Sequence, residues 1–435
     1  MSGGKLPTGL RIYRLLSAAA GPFTPILLSR RLKRGKEHRQ RLPERRGESR
    51  IARPEGPMVW VHGASVGELA SVLPLIDRIR ARGLGVLVTT GTVTSGGLAE
   101  QRLHRGVIHQ FVPLDICRFV RRFLDHWRPD LALFVESELW PNMMVETSTR
   151  GIPMILVNAR LSEHSFKRWQ RAPNSIASLL RRLDLCLAGT ASDAARLGKL
   201  GASNVVTTGN LKLDTPAPPA DPAALAVLQD AIAGRPVIAA ASTHAGEEDV
   251  ILEAHSRLST NFPGLLTLVA PRHPDRGPSI AEIATAAGLT ATLRSRAELP
   301  NRSTQIYVVD TVGELGLVYR LASAVFIGGS LIRHGGQNPV EAAKLGSAIL
   351  HGPYVWNFGE IYAALDNAHG AEPIENADRL TAHLAAWLSD PDACARVTEA
   401  ANIVVEKLGG ALDRTLTSLD PYLMQLQLRQ RTHHA

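Results

Sequence analysis

From residue 58 onward the chain repeats one unit: a short, almost wholly apolar run, a turn, and a stretch with helical spacing of its apolar residues. A strand that is apolar on both faces belongs to a sheet covered on both sides, and βα repeats of this kind form a parallel sheet flanked by helices. The runs 58–62, 85–90, 107–112, 131–135, 154–158, 185–188 and 205–208 predict strands of one half, with helices such as 68–82 and 117–126 between them. Residues 215–222, TPAPPADP, are the most proline-dense stretch and read as a linker. A second series follows at 237–241, 265–270, 291–294, 306–309, 324–328 and 348–350, and the segment from Pro391 to Arg429 reads as helical. The domains expected are therefore 51–214 and 223–435, joined by 215–222 and preceded by a distinct segment, 1–50. Two α/β halves of this kind make a two-lobed enzyme with a central cleft, its ligands held at the carboxyl ends of the strands.

Charge separates the first segment from the body. Residues 1–50 hold thirteen Lys or Arg and three acids, a surplus of ten, whereas the whole chain carries +9. The body is thus nearly neutral, and nucleic acid is not an expected partner. Within the segment, 15–29 is uncharged and mostly apolar. As a helix it would reach roughly 22 Å, against a hydrocarbon core of about 30 Å, and Pro22 and Pro25 interrupt it. The favoured reading is a monotopic anchor lying in the interface. The arginines and lysines of 30–50 would then face anionic headgroups on the cytoplasmic side. A span over 10–28 with snorkelling arginines, a targeting peptide of mitochondrial type and a disordered basic tail are the other readings; a cleaved signal peptide lacks its expected order of regions. Cys117, Cys186 and Cys394 lie far apart with no CxxC pair, which argues against a disulfide framework and fits a reducing compartment. No metal-ligand motif is present, so no metal and no cofactor are expected.

The chemistry-bearing residues cluster at the strand ends. After the first strand comes HGASVGE, 62–68. Ser65 and Glu68 have capping-box spacing, which by itself marks a helix start, while a carboxylate in a glycine-flanked turn can also take a proton from a sugar hydroxyl. The cap would occupy the side chain that a base must use, so the two roles compete. After the fourth strand, FVESELWPN places Glu136 and Glu138 two residues apart, with Pro141 suited to a first helical turn. Both also suit a salt bridge or a cap. Arg160 in NARLS and Lys212 in GNLKLD are candidates for contact with an anionic acceptor or donor. In the second half, Ser242 and Thr243 open a strand-to-helix loop able to hold a phosphate. Arg272 and His273 follow the next strand, and an arginine fork suits phosphate or carboxylate. Gly313 and Glu314 lie in a turn that begins a helix. GGSLIRHGGQNPVE, 328–341, is a glycine-rich loop whose Gly335, Gly336 and Asn338 would present amides to a phosphate, with Glu341 in the following helix able to take a ribose diol.

Seven ordered segments, WVHGASVGE, FVESELWPN, LVNARLS, GNLKLD, APRHPDR, DTVGELGLVYRLA and FIGGSLIRHGGQNPVEAAKLG, span roughly residues 58–360. In them the chain resembles the 3-deoxy-D-manno-octulosonic acid (Kdo) transferases of lipopolysaccharide assembly. It departs at Glu341-Ala342, where Glu-Pro is expected, and in the loop TTGTVTSGG. The resemblance implies an α/β fold of GT-B type: two Rossmann-like parallel-sheet domains facing a central cleft, with an N-terminal membrane-associated segment. It implies inverting transfer of Kdo from CMP-Kdo, the donor substrate, to a lipid A precursor (lipid IVA), with no metal or other cofactor. Glu68 would be the general base, supported by Glu136 and Glu138. Ser242, Thr243, Arg272, His273, Gly313, Glu314, Gly335, Gly336, Asn338 and Glu341 would bind the donor. An enzyme of the same architecture acting on a UDP-sugar, transferase or epimerase, is the main rival, and a catalytically silent nucleotide sensor is another.

Overall fold

The structure, a computed structural model, describes residues 6–214, 216–232 and 234–434. It divides into two compact units, Met1–Thr215 with Gly409–Ala435, and Pro216–Leu408. Unit 1 is built on seven parallel strands: β1 (Met58–His62), β2 (Gly85–Thr90), β3 (Ile108–Phe111), β4 (Leu131–Val135), β5 (Met154–Ala159), β6 (Leu185–Ala188) and β7 (Val205–Thr207). Their order is β3-β2-β1-β4-β5-β6-β7. Unit 2 repeats the scheme with β8 (Val237–Thr243), β9 (Leu266–Pro271), β10 (Ala291–Leu293), β11 (Ile306–Val308), β12 (Ala324–Ile327), β13 (Ala348–His351) and β14 (Ala371–Pro373), in the order β10-β11-β9-β8-β12-β13-β14.

The alternation of side chains along each strand sorts the apolar residues of unit 1 between two cores. Met58 and Trp60 of β1, with Ala132 and Phe134 of β4, point into one. Val59 and Val61, with Leu131, Leu133 and Val135, point into the other. β1 and β4 are buried on both faces, which is why their sequences are almost wholly apolar. Chain order reverses between β1 and β4 in unit 1 and between β8 and β12 in unit 2, where the sheet also turns once more at its β10-β11 edge. The connections that follow the two strands at such a point leave in opposite directions and open a crevice at their carboxyl ends.

Three expectations need correction. The C-terminal stretch does not belong wholly to the second half. It forms two helices, and the second, Ala411–His434, joins unit 1. Leu416, Leu419, Leu423 and Leu426 of that helix enter the core that holds Val59 and Val61, and Arg82 Nη2 lies 2.5 Å from Asp420 Oδ1. The segment 1–50 is likewise part of unit 1. Its apolar run breaks into the helix Thr8–Ala20, a 3-10 turn at Gly21–Phe23 and the helix Thr24–Lys33, with the prolines in the first positions of the second and third elements. No helix among the described residues is long and apolar enough to cross a membrane. The basic cluster is also only partly free for a surface. Arg31 and Arg45 pair with the buried Glu37, Arg41 with Glu44, and Arg46 with Glu48. Arg45, 5% exposed, also donates to the carbonyl of Val112 at 2.7 Å.

Candidate active site

The crevice of unit 1 lies between the ends of β1 and β4 and gathers three carboxylates. Glu68 stands in the first turn of the helix Val66–Ala81, and the capping box is formed. Ser65 Oγ accepts from the Glu68 amide at 3.3 Å, and Glu68 Oε2 accepts from the amides of Ala64 at 2.6 Å and Ser65 at 3.4 Å. The cap thus engages one carboxylate oxygen. Burial first, then the nearby charges of Glu138 and Glu136, push the Glu68 carboxyl above its ordinary range, against the pull of the two amides. Cap and elevated carboxyl coexist in one side chain.

Glu136 leaves β4 in the left-handed region, with φ 57°. A non-glycine residue held there is strained and needs surrounding structure to fix it. Its backbone amide donates to the Val157 carbonyl at 2.9 Å, and Lys212 Nζ lies 2.6 Å from its Oε1, an ion pair not aligned as a hydrogen bond. Lys212 is brought there by Asn158, which is fully buried at φ 51° and whose Oδ1 accepts from the Leu211 amide at 3.0 Å. Glu138 accepts from the Trp140 indole N–H, and its Oε2 lies 3.2 Å from His62 Nε2. Burial alone would raise this carboxyl, but the His62 bond and charge and the Trp140 bond outweigh it, holding Glu138 below its ordinary range. The result is two carboxylates with dedicated partners beside a third whose affinity for protons is raised. Arg160 directly follows β5, at the neighbouring strand end.

The crevice of unit 2 lies between β8 and β12. Ser242 sits at φ 58°, and Thr243, buried, has no hydrogen-bond partner for its Oγ1 among the described residues. The Arg272 amide donates to the Thr243 carbonyl at 3.0 Å, so the end of β9 is tied to the end of β8 while the Arg272 side chain is exposed. His244 packs against His334 and His273, with ring centroids 4.1 and 6.0 Å away. Burial, then His334, His273 and Arg272, lower its pKa to about 4. Gly335 and Gly336 have φ 104° and 75°. A Cβ on Gly335 would come within 2.6 Å of Asn357 Nδ2 and Trp356 Nε1. Asn338 Oδ1 accepts from the Val340 amide at 3.1 Å. Glu341 is raised by burial, opposed by a hydrogen bond from Asn338 and by the charges of Lys344 and Arg272. These residues form one group. Gly313 (φ 88°) and Glu314 are held differently: the Glu314 carboxylate takes Arg294 Nη2 at 2.8 Å and the Thr311 hydroxyl, a pairing between the ends of β10 and β11.

One expectation for the glycine-rich loop fails in part. The amides of Gly329, Ser330 and Leu331 are not open to a phosphate, because Glu247 already takes them at 2.8, 3.0 and 3.0 Å. Glu247 also accepts from the His244 amide at 2.9 Å and is fully buried. This internal carboxylate fixes the first part of the loop, and in the later part the amides of Gly336 and Gln337 are also taken, by the carbonyls of Gly329 at 2.7 Å and Gly328 at 3.2 Å, so the expected role of the Gly336 amide falls away and Gly335 and Asn338 remain as the candidate cradle. The sequence carried a signal for it: Glu247, Glu248 and Asp249 form an acidic first helical turn directly after a strand. Of that run, Glu248 is paired instead with Arg276, Oε1 to Nη1 at 2.5 Å. His62, Trp140 and Asn158 were also missed, being a strand end, an aromatic and an amide with no spacing that singles them out.

Comparison with known proteins adds an independent line. Residues 40–215 match the family model described as 3-deoxy-D-manno-octulosonic-acid transferase (kdotransferase). The chain is 33% identical over 399 residues to a 3-deoxy-D-manno-octulosonic acid transferase of Haemophilus influenzae, covering 89% of this chain and 92% of that one. It is 34% identical over 431 residues to a transferase of the same description from Bordetella pertussis, covering 95% and 100%. Among solved structures it is similar to a glycosyltransferase of Rickettsia africae, with a TM-score of 0.57, 12% identity, and 86% of this chain and 99% of that one covered, a likeness of fold.

Proposed function

The chain belongs to the 3-deoxy-D-manno-octulosonic acid transferase family and is a glycosyltransferase that moves Kdo in lipopolysaccharide biosynthesis; we propose that its donor is CMP-Kdo, its acceptor the lipid A precursor lipid IVA, and its general base Glu68. The observation that carries the assignment of the base is the raised Glu68 carboxyl beside two carboxylates that already have partners, Glu136 on Lys212 and Glu138 on His62 and Trp140. Environments that push neighbouring carboxyls apart divide the roles of base and support.

In this reading an acceptor hydroxyl gives its proton to Glu68 as its oxygen attacks the anomeric carbon of Kdo. The bond from that carbon to the phosphate oxygen of CMP breaks, configuration inverts, and CMP leaves with the electron pair. The transition state is oxocarbenium-like, as in other glycosyl transfers. Charge growing on the departing phosphate is met by Arg272 and by the loop at Gly335 and Asn338, groups fixed in place that need no reorganisation. Glu341 takes the ribose diol, and Ser242, Thr243 and His273 line the phosphate side. No metal or cofactor enters the scheme. Arg160, at the end of β5, meets the acceptor's phosphates, and Lys212 acts through Glu136.

The same proposal seats unit 1 on an anionic bilayer, the cytoplasmic face of the inner membrane. Ile12, Leu15, Leu16, Phe23, Ile26 and Leu27 are each about half or more exposed, and exposed Arg11, Arg30, Lys33 and Arg34 accompany them. An apolar face rimmed by cations suits the boundary between headgroups and acyl chains.

The test is transfer from CMP-Kdo, generated in situ, to lipid IVA in detergent, with product followed by mass, alongside thermal protection by CMP and by UMP. Mass gains in Kdo units with CMP-selective protection are expected. No product from folded protein beside a working control transferase overturns the acceptor or donor, and protection by UMP instead directs the search to a UDP-sugar.

A further inference from the structure

The helix Thr8–Ala20 has two faces, and the inward one sets three polar side chains beside the buried Leu10. Tyr13 donates its hydroxyl to Asp115 Oδ2 at 2.9 Å. Arg14 Nη2 reaches Glu146 Oε1 at 2.6 Å. Ser17 Oγ accepts from Asn142 Nδ2 at 2.9 Å. All three partners bear on a single element, the helix Pro141–Thr149. Asn142 and Glu146 lie on it and are buried. Asp115 caps its first turn, taking the amides of Asn142 at 3.0 Å and Met143 at 2.8 Å. That helix begins directly after the 136–140 turn, which carries Glu136, Glu138 and the exposed Trp140.

A tether that only raises local concentration needs no such fixed geometry; a flexible linker serves. Here the groups that clamp the N-terminal helix are those that set the start of the helix behind the carboxylate turn. Burying polar groups in fixed pairs costs desolvation and yields a defined orientation. Resting on the bilayer-docked reading above, we propose that the Tyr13–Asp115, Arg14–Glu146 and Ser17–Asn142 clamp makes the N-terminal helix an orienting device, holding the 136–140 turn at a fixed attitude to the membrane surface from which the lipid acceptor is presented. Tyr13 and Arg14 are then positioning residues whose effect depends on how the acceptor is offered.

The double variant Tyr13→Phe with Arg14→Gln removes two of the three links. It leaves Glu146 paired with Arg121 and Arg150, and Asp115 bonded to its two amides, so the body keeps its partners. Turnover would be measured with lipid IVA in detergent micelles and in vesicles of phosphatidylglycerol and phosphatidylethanolamine, with vesicle binding read by flotation. Vesicle binding and micelle turnover are expected within about twofold of wild type, while kcat on vesicles falls at least tenfold; Arg14→Lys alone should remain near wild type. Equal activity in both formats overturns the proposal. So does an equal loss in both, which would leave the clamp with only a stabilising role, and so does a loss explained by weaker flotation, which would leave only a tether. Failure of the wild type itself to turn over lipid IVA in micelles would instead strike the acceptor assignment.

Discussion

Glu68 is asked to cap a helix and to accept a proton, and Glu68→Gln separates the two. The carboxylate caps through one oxygen, Oε2, which accepts from Ala64 and Ser65. A glutamine carbonyl can accept the same two N–H groups, and the Ser65 half of the box is untouched. Helix stability should therefore change by less than about 0.5 kcal/mol, a melting shift of no more than about 2 °C for a unit of this size. A carboxamide cannot take the acceptor proton, so turnover should fall by about 10²- to 10⁴-fold. Glu68→Ala removes both functions. It should lose activity similarly and also cost about 1 kcal/mol of cap, or roughly 2–4 °C. The assay is Kdo transfer by mass together with thermal melts of all three proteins. Wild-type turnover in Glu68→Gln would refute the base and leave Glu68 as a cap alone. Equal destabilisation by the glutamine and alanine variants would refute the account of the cap.

Two further outcomes follow from the same geometry. Activity should fall on the acid side as Glu68 takes up a proton, along a limb lying above the ordinary glutamate value of about 4.3 because burial and then Glu138 and Glu136 raise it. Glu136→Gln removes a negative neighbour and should move that limb to lower pH. Lys212→Met strips Glu136 of its cation and should move it higher, so a pH profile of kcat/KM in which both shift the same way would contradict the reading. In unit 2, Glu247→Gln turns one of two acceptor oxygens into a donor facing two of the four backbone amides now bound. At about 1–3 kcal/mol for each orphaned amide the cost is roughly 2–6 kcal/mol. A clearly lowered melting temperature and weaker protection by CMP are expected, and unchanged values for both would show that the loop does not depend on this carboxylate.

The parts of this molecule legible in sequence are those where one residue type has one use. Strands buried on both faces must be apolar throughout, so β1, β4 and β5 are plain. β14, Ala-Glu-Pro at a sheet edge, carries no such signal. Pro22 and Pro25 announced the break in the N-terminal run, and the spacing of Ser65 and Glu68 announced the cap. Long-range partnerships were not legible. Arg31, Arg41 and Arg45 read as surface charge until Glu37 and Glu44 are seen beside them. Glu247 read as one of three acids at a helix start until the amides of a loop over 80 residues away close on it. The last helix showed that it had an apolar face to bury, but nothing in that face says which sheet receives it.

That last helix imposes an order on biosynthesis. Unit 1 is interrupted by Pro216–Leu408, so its final component leaves the ribosome only after all of unit 2 has been made. At about 5–20 residues per second, the 193 intervening residues take roughly 10–40 s. Throughout that interval the apolar surface destined for Leu416, Leu419, Leu423 and Leu426 has no cover from its own chain. The nascent protein thus carries two hydrophobic faces at once, one awaiting its C-terminal helix and the other exposed on the N-terminal helices. The first must await the helix Ala411–His434, made only after unit 2, while the second, in the proposed seating on a bilayer, can be covered by lipid well before that.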